Sequence, residues 1–227
     1  NPYTEPEDSP CPDTVDYDMY LGPAPSRPFN AGHFHGSWLK YWAYSCSDIG
    51  VPKSAAGYGG NYVFDDDSET PDTASCTFDY GDFLMTFEET QWPKYMQKTS
   101  QEIRDTDTFP DWPRNSTRIE IYGTEQKMYI GRHGGGWQAI APDGSVAAQE
   151  YGRVPTLDHI DNMIQCMRSR ELPTADIEEG HLSGVLVHMA NILCRIDGGS
   201  FDYDPKSETP IDHPAVEKFM TREYREQ

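Results

Sequence analysis

Ala74-Ser75-Cys76-Thr77-Phe78-Asp79-Tyr80-Gly81-Asp82-Phe83-Leu84-Met85-Thr86-Phe87-Glu88 is the stretch from which the fold can be read. Ala74, Cys76, Phe78 and Tyr80 alternate with Ser75, Thr77 and Asp79, a period of two that sorts side chains onto the two faces of an extended strand. Gly81-Asp82 supplies turn chemistry, and Phe83, Met85 and Phe87 then share one face again, so the segment predicts a β-hairpin. Toward the C-terminus two more hairpins are predicted. One joins 117–122 to 127–131 around Gly123-Thr124, and the other joins 137–141 to 145–150 across Pro142-Asp143-Gly144. Toward the N-terminus, residues 53–59 and 61–64 read as strand-like pieces around Gly59-Gly60. Residues 89–116 are polar and hold Pro93, Pro110 and Pro113, which predicts a loop excursion.

The period changes near Gly152. Leu157, Ile160, Ile164 and Met167 fall on one stripe of a helix over 156–169. Pro173 ends the connection, and Thr174 is placed to cap a second helix whose stripe is Leu182, Val185, Leu186, Met189, Ile192 and Ile196. Gly198-Gly199 stops that helix, and a short one is expected over 214–223. Strands first and helices afterwards predict an α+β fold: one open-faced, largely antiparallel sheet holding the three hairpins, with helices on one face.

Residues 1–36 are rich in Pro, Gly, Asp and Tyr and lack periodicity, which predicts an extended arm or long loop lying on something else, ahead of an α+β domain over 37–227. The chain carries 38 acidic against 18 basic side chains, a formal net charge of −20. So acidic a surface repels phosphate backbones and anionic lipid heads, which disfavours nucleic-acid and peripheral membrane binding. No apolar run approaches the ~20 residues that span a bilayer, so no membrane insertion is expected. The five cysteines form no C-x-x-C pair, and Cys76, Cys166 and Cys194 sit in strand or helix patterns, so buried free thiols are expected.

The residues with chemical potential are few. Arg27, His33 and His35 stand just before Trp38, Tyr41 and Trp42. Indole and phenol faces stack on the C–H faces of sugars while His and Arg donate to hydroxyls, so Arg27, His33, His35, Trp38 and Trp42 read as a sugar-binding group. The same aromatics would also suit a packed core. Two histidines without a third ligand do not make a metal site, and Asp65-Asp66-Asp67-Ser68-Glu69 lacks the spacing of a calcium loop and reads as a solvated turn. Asn115-Ser116-Thr117 is a glycosylation sequon, relevant only in a eukaryotic secretory setting. His181 and His188, seven residues apart on one helix, predict a partly buried contact. Gly131-Arg132-His133-Gly134-Gly135-Gly136 falls between strands rather than at a strand-to-helix turn, so it offers no dinucleotide pyrophosphate cradle.

Several of these pieces, in order, resemble a known family. Gly22-Pro23-Ala24-Pro25-Ser26-Arg27-Pro28-Phe29-Asn30, His33-Phe34-His35, Trp38-Leu39-Lys40-Tyr41-Trp42, Pro71-Asp72-Thr73, the 78–88 hairpin, Tyr122-Gly123-Thr124-Glu125 and Thr221-Arg222-Glu223-Tyr224-Arg225 are similar to the C-terminal domain of Gfo/Idh/MocA oxidoreductases. The resemblance implies an open-faced sheet whose bare face makes a homo-oligomer interface. It implies a parent protein that binds NAD or NADP in a Rossmann half and oxidises a sugar or glycoside hydroxyl by hydride transfer. The sequence departs from the family pattern in lacking the Rossmann half and its Glu-Lys-Pro motif, and in passing directly from Ser47-Asp48-Ile49-Gly50 to Val51-Pro52, where an Asp/His segment is expected. No catalytic residue is therefore carried over, and the chain alone is expected to hold no cofactor. The competing readings are a non-redox carbohydrate-binding or assembly module and a cofactor-independent lyase. The resemblance is compatible with a bacterial cytoplasmic or, after removal of an export signal, a periplasmic location.

Overall fold

The computed structural model describes residues 8–12, 15, 17, 28–29, 50–64 and 70–221. In chain order the elements are β1 (Ser54–Gly60), β2 (Thr73–Asp79), β3 (Leu84–Thr90), α1 (Gln101–Asp105), a 3-10 turn (Trp112–Arg114), β4 (Arg118–Tyr122), β5 (Lys127–Gly131), β6 (Trp137–Ile140), β7 (Val146–Glu150), α2 (Thr156–Ser169), α3 (Ile177–Arg195), β8 (Gly199–Asp204), β9 (Thr209–Pro210) and α4 (Pro214–Glu217). The chain divides into two units, each made of two separate stretches: Asn1–Asp48 with Lys94–Asp176, and Ile49–Pro93 with Ile177–Gln227. The α+β class and the antiparallel pairing are as the sequence predicts. The single sheet is not: the first hairpin lies in a five-stranded sheet, β3-β2-β1-β8-β9, and the other two form a separate four-stranded sheet, β4-β5-β6-β7. Period-two alternation is the same in both, so it reveals a strand without revealing its sheet.

In the unit of β1–β3, Ala55 of β1 pairs with Phe78 of β2 and Phe201 of β8, which puts all three on one face. Cys76 and Tyr203 extend that face, and α3 covers it with Val185, Met189, Ile192 and Leu193, while Val216 of α4 closes the cluster. The glycines of β1 make this contact possible. A Cβ on Gly59 would collide with Cys194 Sγ of α3, and one on Gly57 would lie 2.8 Å from Cys76 Sγ. The two thiols therefore take space that side chains on β1 would occupy. Burial pushes the Cys76 thiol up to about 11, with Cys194 beside it adding to the shift, so it stays a protonated packing group. Helix α3 ends as predicted: Asp197 and Gly198 take left-handed backbone (φ 62° and 86°), and Gly198 N–H donates to Leu193 O at 2.8 Å.

The opposite face of this sheet carries Ser54, Ala56, Tyr58, Ser75, Thr77, Leu84, Thr86 and Ser200 together with Asp79, Glu88 and Asp202, with Tyr58 64% and Leu84 66% exposed. It is less apolar than the sequence suggests. Phe83 and Met85 pack instead on the core side, and Met128 and Ile130 belong to the other sheet.

In the other unit, Met128, Trp137 and Ala139 form the covered face of the β4–β7 sheet together with Phe29, while Cys11, Val15 and Tyr17 pack at its margin. The described arm residues thus lie on a sheet. Ser9 N–H donates to Phe29 O at 2.9 Å, and the Tyr17 ring meets Phe29 edge-on. The predicted turn at Pro142-Asp143-Gly144 is present, with Asp143 Oδ1 accepting from Ser145 N–H (2.9 Å) and Oγ (2.6 Å).

Four local expectations are corrected. Residues 61–64 are not a strand. Within 89–116, β3 continues to Thr90, and α1 and the 3-10 turn punctuate the loop. Thr174 does not cap α3; its N–H and Oγ both donate to Asn162 Oδ1 of α2, and the helix starts at Ile177. The last helix stops at Glu217. Helix α2 buries none of its residues, and its stripe of Leu157, Ile160, Ile164 and Met167 is exposed. The spacing of a stripe fixes which face is apolar but not what covers it.

Candidate functional site

Arg27, His33, His35, Trp38 and Trp42 lie outside the described residues, as does Asp65-Asp66-Asp67-Ser68-Glu69. His181 and His188 are both exposed rather than partly buried. His181 Nε2 sits 2.8 Å from Glu208 Oε2, and that hydrogen bond followed by the carboxylate's charge raises the imidazole pKa. The sequon is closed. Asn115 is only 3% exposed, its Oδ1 accepts from Thr99 Oγ1 at 3.0 Å, and its Nδ2 is buried without a partner.

Three constellations remain. The first is a carboxylate clamp in the β1–β3 unit. Asp72 is buried, and its Oδ2 accepts from Val63 and Phe64 N–H (2.8 Å each) while its Oδ1 accepts from Tyr62 N–H (3.2 Å) and Thr73 Oγ1 (2.7 Å). Burial alone would raise this carboxyl, but the four donors outweigh it and hold the pKa at about 2. Three successive N–H groups turned toward one carboxylate leave Tyr62, Val63 and Phe64 exposed. This gives the Pro71-Asp72-Thr73 motif a structural reason.

A second constellation runs across the polar face of the β4–β7 sheet. Glu120, Tyr129, Gln138 and Gln149 are opposite one another on successive strands. Lys127 Nζ and Arg118 Nε reach Glu120 at 2.5 Å each, and Tyr122 OH donates to it at 2.6 Å. Burial would raise the Glu120 pKa, yet the bonds from Lys127, Tyr122 and Arg118 bring it down to about 2. Trp112 stacks parallel on Tyr129 and donates Nε1–H to Gln138 Oε1 at 2.6 Å. Each member is satisfied by another, so the row reads as a rigid structural network.

The third is a pocket of about 50 Å³ in the same unit, lined by Ile130, Arg132, Trp137, Tyr151, Arg153 and Pro155 and by the glycines between them. Loop 131–136 joins β5 to β6, and Gly134, Gly135 and Gly136 all have positive φ (87°, 86° and 60°). A Cβ on Gly135 would lie 2.7 Å from Pro110 Cδ, one on Gly134 2.9 Å from Arg104 Cα, and one on Gly136 would strike Glu150 O. Only glycine fits there, and the tight packing draws Arg104 toward the loop. Arg153 is held in a two-pronged contact with Asp107 (both 3.1 Å). Burial, then the charges of Arg132 and Arg104, lower the His133 pKa. The sequence marked this loop only as unfit for a dinucleotide. The isolated Arg-His between glycines was the available signal, but Tyr151 and Arg153 join the pocket from about twenty residues further on.

Among the described residues, no group of three or more His, Cys, Asp or Glu side chains could hold a metal ion, and no helix is long and apolar enough to cross a membrane.

No curated protein matches the chain. Among solved structures it is similar to the WlbA dehydrogenase from Bordetella pertussis, crystallised with NADH and UDP-GlcNAcA (15% identity, TM-score 0.40, covering 77% of this chain and 43% of that one). It is also similar to the oxidoreductase yvaA from Bacillus subtilis (11%, 0.43, 68% and 46%) and to a protein from Klebsiella pneumoniae described as an oxidoreductase (9%, 0.42, 75% and 47%). The chain spans less than half the length of each of these. The model of the oxidoreductase family's C-terminal alpha/beta domain, of the Gfo/Idh/MocA group, matches residues 3–227. Over nearly its whole length, then, this chain belongs to the Gfo/Idh/MocA oxidoreductase family, as its C-terminal α/β domain.

Proposed function

We propose that the chain is the substrate-side and oligomerisation domain of an NAD(P)-dependent oxidoreductase that acts on a sugar or glycoside hydroxyl. The observation that carries this reading is the family match over residues 3–227. Arg27, His33, His35, Trp38 and Trp42 line the sugar pocket in this proposal, with the aromatic rings against the sugar's C–H faces and the cationic groups on its hydroxyls. NAD(P), if bound, would supply the hydride acceptor for oxidation of the carbinol to a carbonyl, the hydroxyl proton leaving to solvent. The glycines available in the described structure do not suit that cofactor. Loop 131–136 connects two strands, and its glycines are filled by Ile103, Pro110 and Glu150 packing against them. The proposal therefore places dinucleotide binding outside the described residues and assigns no described residue a part in hydride transfer. The face of the β3-β2-β1-β8-β9 sheet opposite α3, with Tyr58 and Leu84 exposed among small side chains and the carboxylates of Asp79, Glu88 and Asp202, serves as the homo-oligomer surface.

The test uses the protein that carries this domain. It should bind NAD(P), by calorimetry, and generate reduced nicotinamide from a panel of sugars. Trp38→Ala and His35→Ala should each raise the sugar KM roughly tenfold or more with little change in cofactor affinity, as expected when a packing or hydrogen-bonding contact of 1.4 kcal/mol or more is lost. Absence of both NAD(P) binding and sugar oxidation overturns the redox reading in favour of a carbohydrate-binding or assembly module, or of a lyase.

A further inference from the structure

We infer that the pocket beside loop 131–136 binds a tetrahedral oxyanion, either the phosphoryl group of a small ligand or free inorganic phosphate, with the Arg132 guanidinium as its counter-charge. The inference rests on that pocket alone and not on the sugar reading.

Loop packing explains why the glycines are glycines; it does not explain Arg132. That side chain is exposed, lines the pocket, and has no carboxylate partner among the described residues. On a chain of formal charge −20, Arg132 is, among the described residues, the one basic side chain lining this pocket without a carboxylate against it. Arg153, on the same wall, is in a different state: Asp107 matches its charge and fixes its direction. Arg104 adds a second cationic group, since its backbone is pressed against Gly134 and its charge, like that of Arg132, reaches His133. Arg132 and Arg104 thus bring two positive charges to the loop of an otherwise negative molecule.

Size and walls select the ligand class. A cavity of about 50 Å³ has room for a few water-sized groups, which suits one small anion. Ile130, Trp137, Tyr151 and Pro155 make the remainder apolar, and a low-dielectric wall strengthens attraction between a guanidinium and an anion. The planar guanidinium fork presents paired N–H donors that match two oxygens of a phosphoryl group.

The experiment titrates the 227-residue chain with inorganic phosphate at constant ionic strength, followed by calorimetry and by the His133 ring resonances in NMR. Saturable binding and a moving His133 signal are expected. Arg132→Ala should weaken binding at least tenfold, Arg132→Lys should retain part of it, and Lys206→Ala should leave it unchanged. Glucose 1-phosphate provides the second arm. Tighter binding than phosphate, again lost in Arg132→Ala, assigns the site to a phosphorylated ligand; equal or weaker binding assigns it to free phosphate. Phosphate acting no differently from acetate at matched ionic strength overturns the inference, as does binding that Arg132→Ala leaves intact. A His133 signal unmoved by phosphate in the unaltered chain does so without any variant.

Discussion

Asp72 shows how one side chain can set the shape of a segment. Its carboxylate takes three successive backbone N–H groups and the Thr73 hydroxyl, and its own N–H is accepted by Asn61 Oδ1 at 3.0 Å. Asp72→Ala removes every acceptor at once and leaves four part-buried donors without their partner, so it should lower the melting temperature by several degrees; Asp72→Asn keeps the shape but loses the charge and should fall between. The pH dependence follows from the depressed pKa. The folded chain holds this carboxylate ionised down to about 2, whereas the unfolded chain protonates near the ordinary value of 3.8. Its stabilising effect is therefore complete above pH ~4 and is lost as the pH falls toward 2. Urea midpoints measured from pH 6 to pH 2.5 should drop in this window, and less steeply in Asp72→Asn. Equal slopes in both proteins would remove Asp72 from the account.

At the scale of elements, β1 and α3 approach closely enough to forbid a side chain. Gly59→Ala places a methyl group on Cys194 Sγ. Overpacking of this kind costs about 1–3 kcal/mol, and Cys194→Ala in the same chain should restore much of it, which a double-mutant cycle in urea would measure. If the two changes prove additive, the contact is not where the strain arises. What the sequence revealed follows the same scale. The hairpins at 74–88, 117–131 and 137–150 and helices α2 and α3 were legible because their signals are local: alternation, a turn dipeptide, a 3.6-residue stripe. The partition into two sheets was not legible, because β1 joins β8 through Ala55 and Phe201, residues 146 positions apart with nothing in either strand that names the other. The oxyanion pocket was hidden for a related reason, since Arg132 becomes a site residue only once Tyr151 and Arg153 are folded beside it. Asn115 was misleading in the opposite sense: the motif is intact, but the atom it would modify is enclosed.

For the molecule as a whole, the uncovered face of the five-stranded sheet is the surface to test. Leu84 is exposed there and contributes nothing to the core of its unit, so Leu84→Asp, which faces Asp79 across the β2–β3 pair, should cost no more than about 1 kcal/mol of stability. If this face joins copies of the chain, light scattering at micromolar concentration should show an oligomer that Leu84→Asp reduces to smaller species. A native monomer would remove the interface, while an oligomer indifferent to Leu84→Asp would move it elsewhere, with the exposed stripe of α2 the next face to probe.

The interleaving of the two units has a consequence for synthesis. Strand β1 leaves the ribosome well over a hundred residues before its covering helix α3 is complete and its partner β8 is made. While residues 94–176 are being translated, the β1–β3 ribbon must wait with Ala55, Cys76 and Phe78 uncovered, a nascent surface suited to chaperone capture. Premature termination near residue 176 would spare the β4–β7 meander but strip the other sheet of an inner strand and its cover. Nonsense truncations between residues 176 and 199 should therefore yield aggregated product rather than a shortened soluble one.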